Sequence, residues 1–162
     1  MHVSSEPERY PRHHCIAALL AALLLLTAPV AVEAATPLPA EPPDGYQLSL
    51  LIYSTLTALD QANATGNYTV LRQLAAPSFQ SINSADALAG TFLKYRRQRV
   101  VLAPVVLYQP TLTTEPRIGS DGLLQLKGYF PTRPLRIGFE LAYQWVNGAW
   151  RLIAMSIVPS GT

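Results

Sequence analysis

Between Leu135 and Val146 every second residue is large and apolar. Leu135, Ile137, Phe139, Leu141, Tyr143 and Trp145 alternate with Arg136, Gly138, Glu140, Ala142 and Gln144. Successive side chains of a strand point to opposite faces, so this run is a strand with one buried and one wetter face. Asn147-Gly148 follows at once, and this pair suits the positive φ angles of a two-residue hairpin turn. Ala149 to Val158 then returns as the partner strand. A chain carrying this hairpin needs a layer to cover the apolar face.

The segments before it supply that layer. Leu48, Leu51, Ile52, Thr55, Leu56, Leu59 and Ala62 repeat at three-and-four spacing, which predicts an amphipathic helix. Asp44 is its N-cap and Gly66 its left-handed stop. Tyr68, Leu71, Leu74 and Ala75 predict a short second helix ended by Pro77. Ser78 to Ile82 reads as a brief strand. Ser84 caps a third helix running to Tyr95. Val100 to Thr113 reads as a long strand, with Pro104 marking an edge or a bulge. Ser120-Asp121-Gly122 is a turn, and Leu123 to Phe130 the next strand. The expected fold class is α+β: three N-terminal helices packed on a curved antiparallel sheet of four to five strands.

The N-terminus has another character. Arg9, Arg12, His13 and His14 precede an unbroken apolar run from Ile16 to Leu26, and Val32-Glu33-Ala34 offers small residues to a peptidase. This is the pattern of a secretory signal over residues 1–34. Export to the periplasm or outside the cell is the expected localisation. An uncleaved anchor is the alternative and the one expected route to a membrane. Residues 35–43 are a proline-rich linker, and residues 44–160 the domain.

These boundaries limit the chemistry. Cys15, His2, His13 and His14 all fall within the signal, so the domain has no cysteine and no histidine. Neither a disulfide nor a thiolate or imidazole metal site is expected, and no cofactor. A net charge of +2 is too weak to imply nucleic acid. Lys94-Tyr95-Arg96-Arg97-Gln98-Arg99 is a basic run, read either as a solvated helix end or as a contact for an anionic partner. Asn63-Ala64-Thr65 and Asn67-Tyr68-Thr69 match a glycosylation pattern and read as helix-end chemistry.

Three stretches carry a resemblance. Ala58 to Tyr68 is similar to a helix-to-helix connection, Leu74 to Phe79 to the end of a second helix, and Asn147 to Leu152 to a last hairpin, of the nuclear transport factor 2-like superfamily. That superfamily is also called cystatin-like or ketosteroid-isomerase-like. The resemblance covers nearly all of residues 44–158 and implies a cone-shaped fold with a pocket between sheet and helices. A different helix-plus-sheet periplasmic domain is the alternative. Many members bind ligands or partners, and others are isomerases or lyases, so the fold does not settle the function.

The expected function is binding of a small apolar ligand or a protein partner without catalysis, with pairing of two copies through the open sheet. The ligand-binding candidates are Tyr53, Phe92, Tyr108, Phe139, Tyr143 and Trp145. The alternative is an isomerase or lyase in which Asp60, the one acid well inside the first helix, acts as base and a pocket tyrosine as donor.

Overall fold

The computed structural model describes residues 37–161. The chain divides into two units, Met1–Ala34 and Ala35–Thr162. The segment expected to be a signal lies outside the described residues, as do the first two positions of the expected linker. Residues 37–44 have no regular secondary structure.

α1 spans Gly45–Thr65. The Asp44 carboxylate accepts from the Gln47 amide at 2.8 Å, and Gly66 closes the helix at φ 75°. Leu48, Ile52, Thr55, Leu56, Ala58, Leu59 and Ala62 form its buried stripe. Next come α2 (Thr69–Leu74), α3 (Pro77–Ile82), α4 (Ala85–Thr91) and α5 (Leu93–Arg97). Five helices therefore stand where three are expected. Pro77 ends nothing. It sits in the first turn of α3, where its missing N–H costs no bond, and the residues read as a brief strand are helical. Ser84 caps α4 as expected, accepting from the Ala87 amide. The run to Tyr95 then breaks at Phe92, so α4 and α5 are separate pieces.

The long strand expected over Val100 to Thr113 is also corrected. Ala103–Leu107 is a 3-10 turn, and only Thr111–Leu112 (β1) is strand. The amides of the stretch are taken elsewhere. Val100 donates to Tyr95 O, Leu102 to Asp60 Oδ1, Val105 to Leu102 O and Tyr108 to Val105 O. Pro104 has no amide to give.

β2 (Arg117–Ile118), β3 (Leu123–Phe130), β4 (Leu135–Val146) and β5 (Ala149–Gly161) complete one open antiparallel sheet. β1 and β2 both pair with β3, and the other neighbours are β3 with β4 and β4 with β5. Together β1 and β2 make one edge strand interrupted at Thr114 to Pro116. Asn147 and Gly148 take φ 49° and 81°, as the expected hairpin turn requires. The pairing slips by one residue after Ala142, leaving a bulge in β5.

The helices cover one face of the sheet. Ile52, Leu56 and Leu59 of α1 share a core with Leu124, Leu126, Phe130, Ile137, Phe139, Leu141 and Tyr143. Two groups of the helical layer also reach β5: the Ala76 amide donates to Leu152 O, and the Tyr95 hydroxyl to Ile157 O.

Candidate functional site

The seven residues singled out in the sequence do not converge on one place. Tyr53 and Asp60 lie seven positions apart on α1, two helical turns, and so share a stripe. That stripe faces the 3-10 segment. The Tyr53 hydroxyl donates to Tyr108 O at 2.7 Å, and Asp60 Oδ1 accepts from the Leu102 amide at 2.7 Å. Leu102 is fully buried, so Asp60 supplies the partner of an amide that water cannot reach. Tyr53 touches Phe130, which in turn touches Phe139, with both centroid separations 5.6 Å. Phe139 is thus a core ring, and Tyr108 is held through its backbone.

Phe92 belongs to a second cluster. Its ring stacks on Tyr68 at 5.9 Å and meets the edge of Tyr95. The Tyr68 hydroxyl donates to Asn63 Oδ1, and Asn67 Oδ1 accepts from the Thr69 amide. Both asparagines of the glycosylation-like motifs therefore shape the α1–α2 junction. Burial raises the Tyr68 phenol above its ordinary pKa, and the Arg96 guanidinium above the ring pulls it partly back.

Tyr143 stands in a third place. Its hydroxyl lies 2.9 Å from Thr55 Oγ1 and donates to Leu51 O, also at 2.9 Å. A phenol has one hydrogen. With that hydrogen on Leu51 O, both bonds form only if Thr55 donates to Tyr143. Burial pushes the Tyr143 phenol far above its ordinary pKa, and the Thr55 bond lowers it slightly. The pair borders a cleft of about 290 Å³ between α1, α2 and the far end of the β4–β5 hairpin. Leu51, Ala58, Leu71, Leu74, Trp150 and Leu152 supply its apolar lining. Trp145 reaches this region through Trp150, its cross-strand neighbour, with centroids 5.2 Å apart. The Trp145 indole N–H is buried without a hydrogen-bond partner.

So the cleft brings together Tyr143 and, at one remove, Trp145. Tyr53, Tyr108 and Asp60 brace the 3-10 segment, and Phe92 and Phe139 pack. Sequence reasoning did not single out Thr55, Leu71, Leu74 or Trp150 as site residues. The signal for Thr55 was its place as the one hydroxyl in the buried stripe of α1.

The other face of the sheet is uncovered by helices. Lys127 of β3 and Glu140 of β4 form an ion pair there, both more than half exposed. Ala142, Ala154 and Ser156 line a shallow groove of about 710 Å³ beside them, walled by Thr114, Glu115 and Pro116. Among the described residues no group of three or more His, Cys, Asp or Glu could hold a metal ion. No helix among them is long and apolar enough to cross a membrane. No family model, curated protein or solved structure matches the chain.

Proposed function

We propose that this is an exported binding domain of the nuclear transport factor 2-like kind, without catalysis, whose ligand is small, largely apolar and carries one polar end. One arrangement supports this reading: an apolar cleft with the Thr55 and Tyr143 hydroxyls on its border. Apolar walls with a few placed polar groups are the usual make-up of a small-molecule site, and about 290 Å³ is at the small end of the range. The direction of the hydrogen bonds narrows the chemistry. Both hydroxyl hydrogens are spent, on Tyr143 and on Leu51 O, so the capacity left is lone pairs. A ligand alcohol or N–H suits these lone pairs, and Arg151, also on the lining, adds a cation for a ligand acceptor. None of the residues lining the cleft is an acid, and the Asp60 carboxylate is engaged with Leu102. The isomerase alternative, which needs a base beside the tyrosine, has no support in this geometry. Pairing of two copies belongs to the same reading, on the open face of the sheet, where the small side chains Ala142, Ala154 and Ser156 allow close approach.

The test is native mass spectrometry of residues 35–162, followed by titration with benzyl alcohol read by Trp150 emission. Wild type should show saturable binding. Leu74→Phe, at a half-exposed position on the cleft wall, should weaken it tenfold or more, at ~1.4 kcal/mol per decade, without changing the circular dichroism. Equal titration of the two proteins would place binding somewhere else.

A further inference from the structure

The five residues of α5 divide into two sets. Tyr95 and Arg96 turn toward the domain: Tyr95 donates to Ile157 O, and Arg96 donates to Ala89 O while lying over the Tyr68 ring. Leu93, Lys94 and Arg97 are left exposed. The chain beyond continues the division. Val100, Leu102 and Val105 are buried, while Arg99, Val101, Val106 and Leu107 are exposed. The last three leave 61, 58 and 79% of their surface open.

These aliphatic side chains are not exposed because the backbone is loose. Asp60 holds the Leu102 amide, Tyr53 holds Tyr108 O, and Val105 and Tyr108 close the 3-10 turn. A pinned segment that presents three aliphatic groups to water, with three cations close by in sequence, has the composition of an interaction surface. The stretch itself brings only cations, with no acid between Asp86 and Glu115, and the one carboxylate bonded to it, Asp60, is engaged with the Leu102 amide. The composition also indicates the partner. Branched aliphatics next to Lys and Arg match a membrane interface, with apolar groups at the acyl boundary and cations among headgroup phosphates.

We propose that residues 93–107 form a docking face for an anionic lipid bilayer. Lys94, Arg97 and Arg99 meet the headgroups, and Val101, Val106 and Leu107 enter the boundary beneath them. This face shares no residue with the lining of the cleft.

Among the described residues the core cluster runs from Leu48 to Ile157, and Ala35–Thr162 is one compact unit, so residues 35–162 carry a core of their own. That unit is floated with vesicles of phosphatidylglycerol and phosphatidylcholine, and with phosphatidylcholine alone. It should rise with the anionic vesicles only, and less as salt increases. Lys94→Gln and Arg97→Gln should each weaken binding about fivefold. Val106→Ser with Leu107→Ser, which leaves the charge unchanged, should also weaken it several-fold. Unchanged melting midpoints establish that the variants fold, and Leu107→Ser alone replaces the pair if it melts early. Equal binding by the serine variant and wild type would overturn the proposal, leaving only point-charge attraction. Displacement by inorganic phosphate at constant ionic strength would overturn it in favour of a free-anion site. Failure of wild type to float would overturn it outright.

Discussion

Tyr143 shows how one side chain links packing to chemistry. Its alternating position in β4 turns it inward, and burial leaves it 2% exposed. Its hydroxyl would be costly there without Thr55 and Leu51 O. Desolvation raises its pKa above the ordinary 10.0, so the folded protein keeps the phenol neutral where the unfolded chain ionises it. Stability from this group is complete below the unfolded value and declines as pH rises past it toward the folded one. Urea unfolding followed from about pH 8 to about pH 11 should therefore show falling stability above about pH 10. Tyr143→Phe should be ~1–2 kcal/mol less stable at neutral pH, because Thr55 loses its acceptor. Its alkaline slope should be shallower, so the two curves converge. An unchanged slope would assign the alkaline loss to another phenol, with Tyr68 next in line.

Among the elements, the interrupted edge of the sheet depends on a residue without a side chain. Gly128 of β3 sits against Leu112 of β1. A Cβ there would press on Thr111 O and come within 2.9 Å of the Phe139 ring. Gly128→Ala should cost ~1–3 kcal/mol, as overpacking does, and should speed amide exchange at Thr113, which donates to Lys127 O. Stability unchanged from wild type would mean that β1 shifts freely. The legibility of each element follows from where its hydrogen bonds go. The β4–β5 hairpin was readable because its partners are adjacent in sequence, and period-two alternation with Asn147-Gly148 specifies both strands and turn. The caps at Asp44, Ser84 and Gly66 were readable for the same reason. The stretch from Val100 to Thr113 was not. Its β-branched residues favour a strand, yet its amides are claimed by Asp60, by Tyr95 and by its own 3-10 turn, which are tertiary and local facts that propensity does not encode. The candidate site was half legible: the inward face of β4 identified Tyr143, but Leu71, Leu74 and Trp150 meet it only after the helices have packed.

At the scale of the whole described unit, the two-layer arrangement leaves one sheet face without helices. Its cross-strand Lys127–Glu140 pair and the small side chains beside it suit a second copy better than a loose solvent face, since the same row brought against itself by a two-fold axis sets cation against carboxylate. Sedimentation of residues 35–162 should give a dimer at micromolar concentration, and Ala142→Arg should return it to a monomer of unchanged circular dichroism. A monomer at every concentration would remove pairing from the proposed function. The opposite border of the sheet is managed differently. A terminal strand thirteen residues long is a template on which foreign chains can stack into fibrils. Along β5 the carbonyls of Leu152 and Ile157 are already committed to Ala76 and Tyr95. An invading strand would have to strip away donors of α5 and of the α2–α3 junction before it could add to the sheet, so the same helices that cover the core also guard the protein against amyloid-like growth.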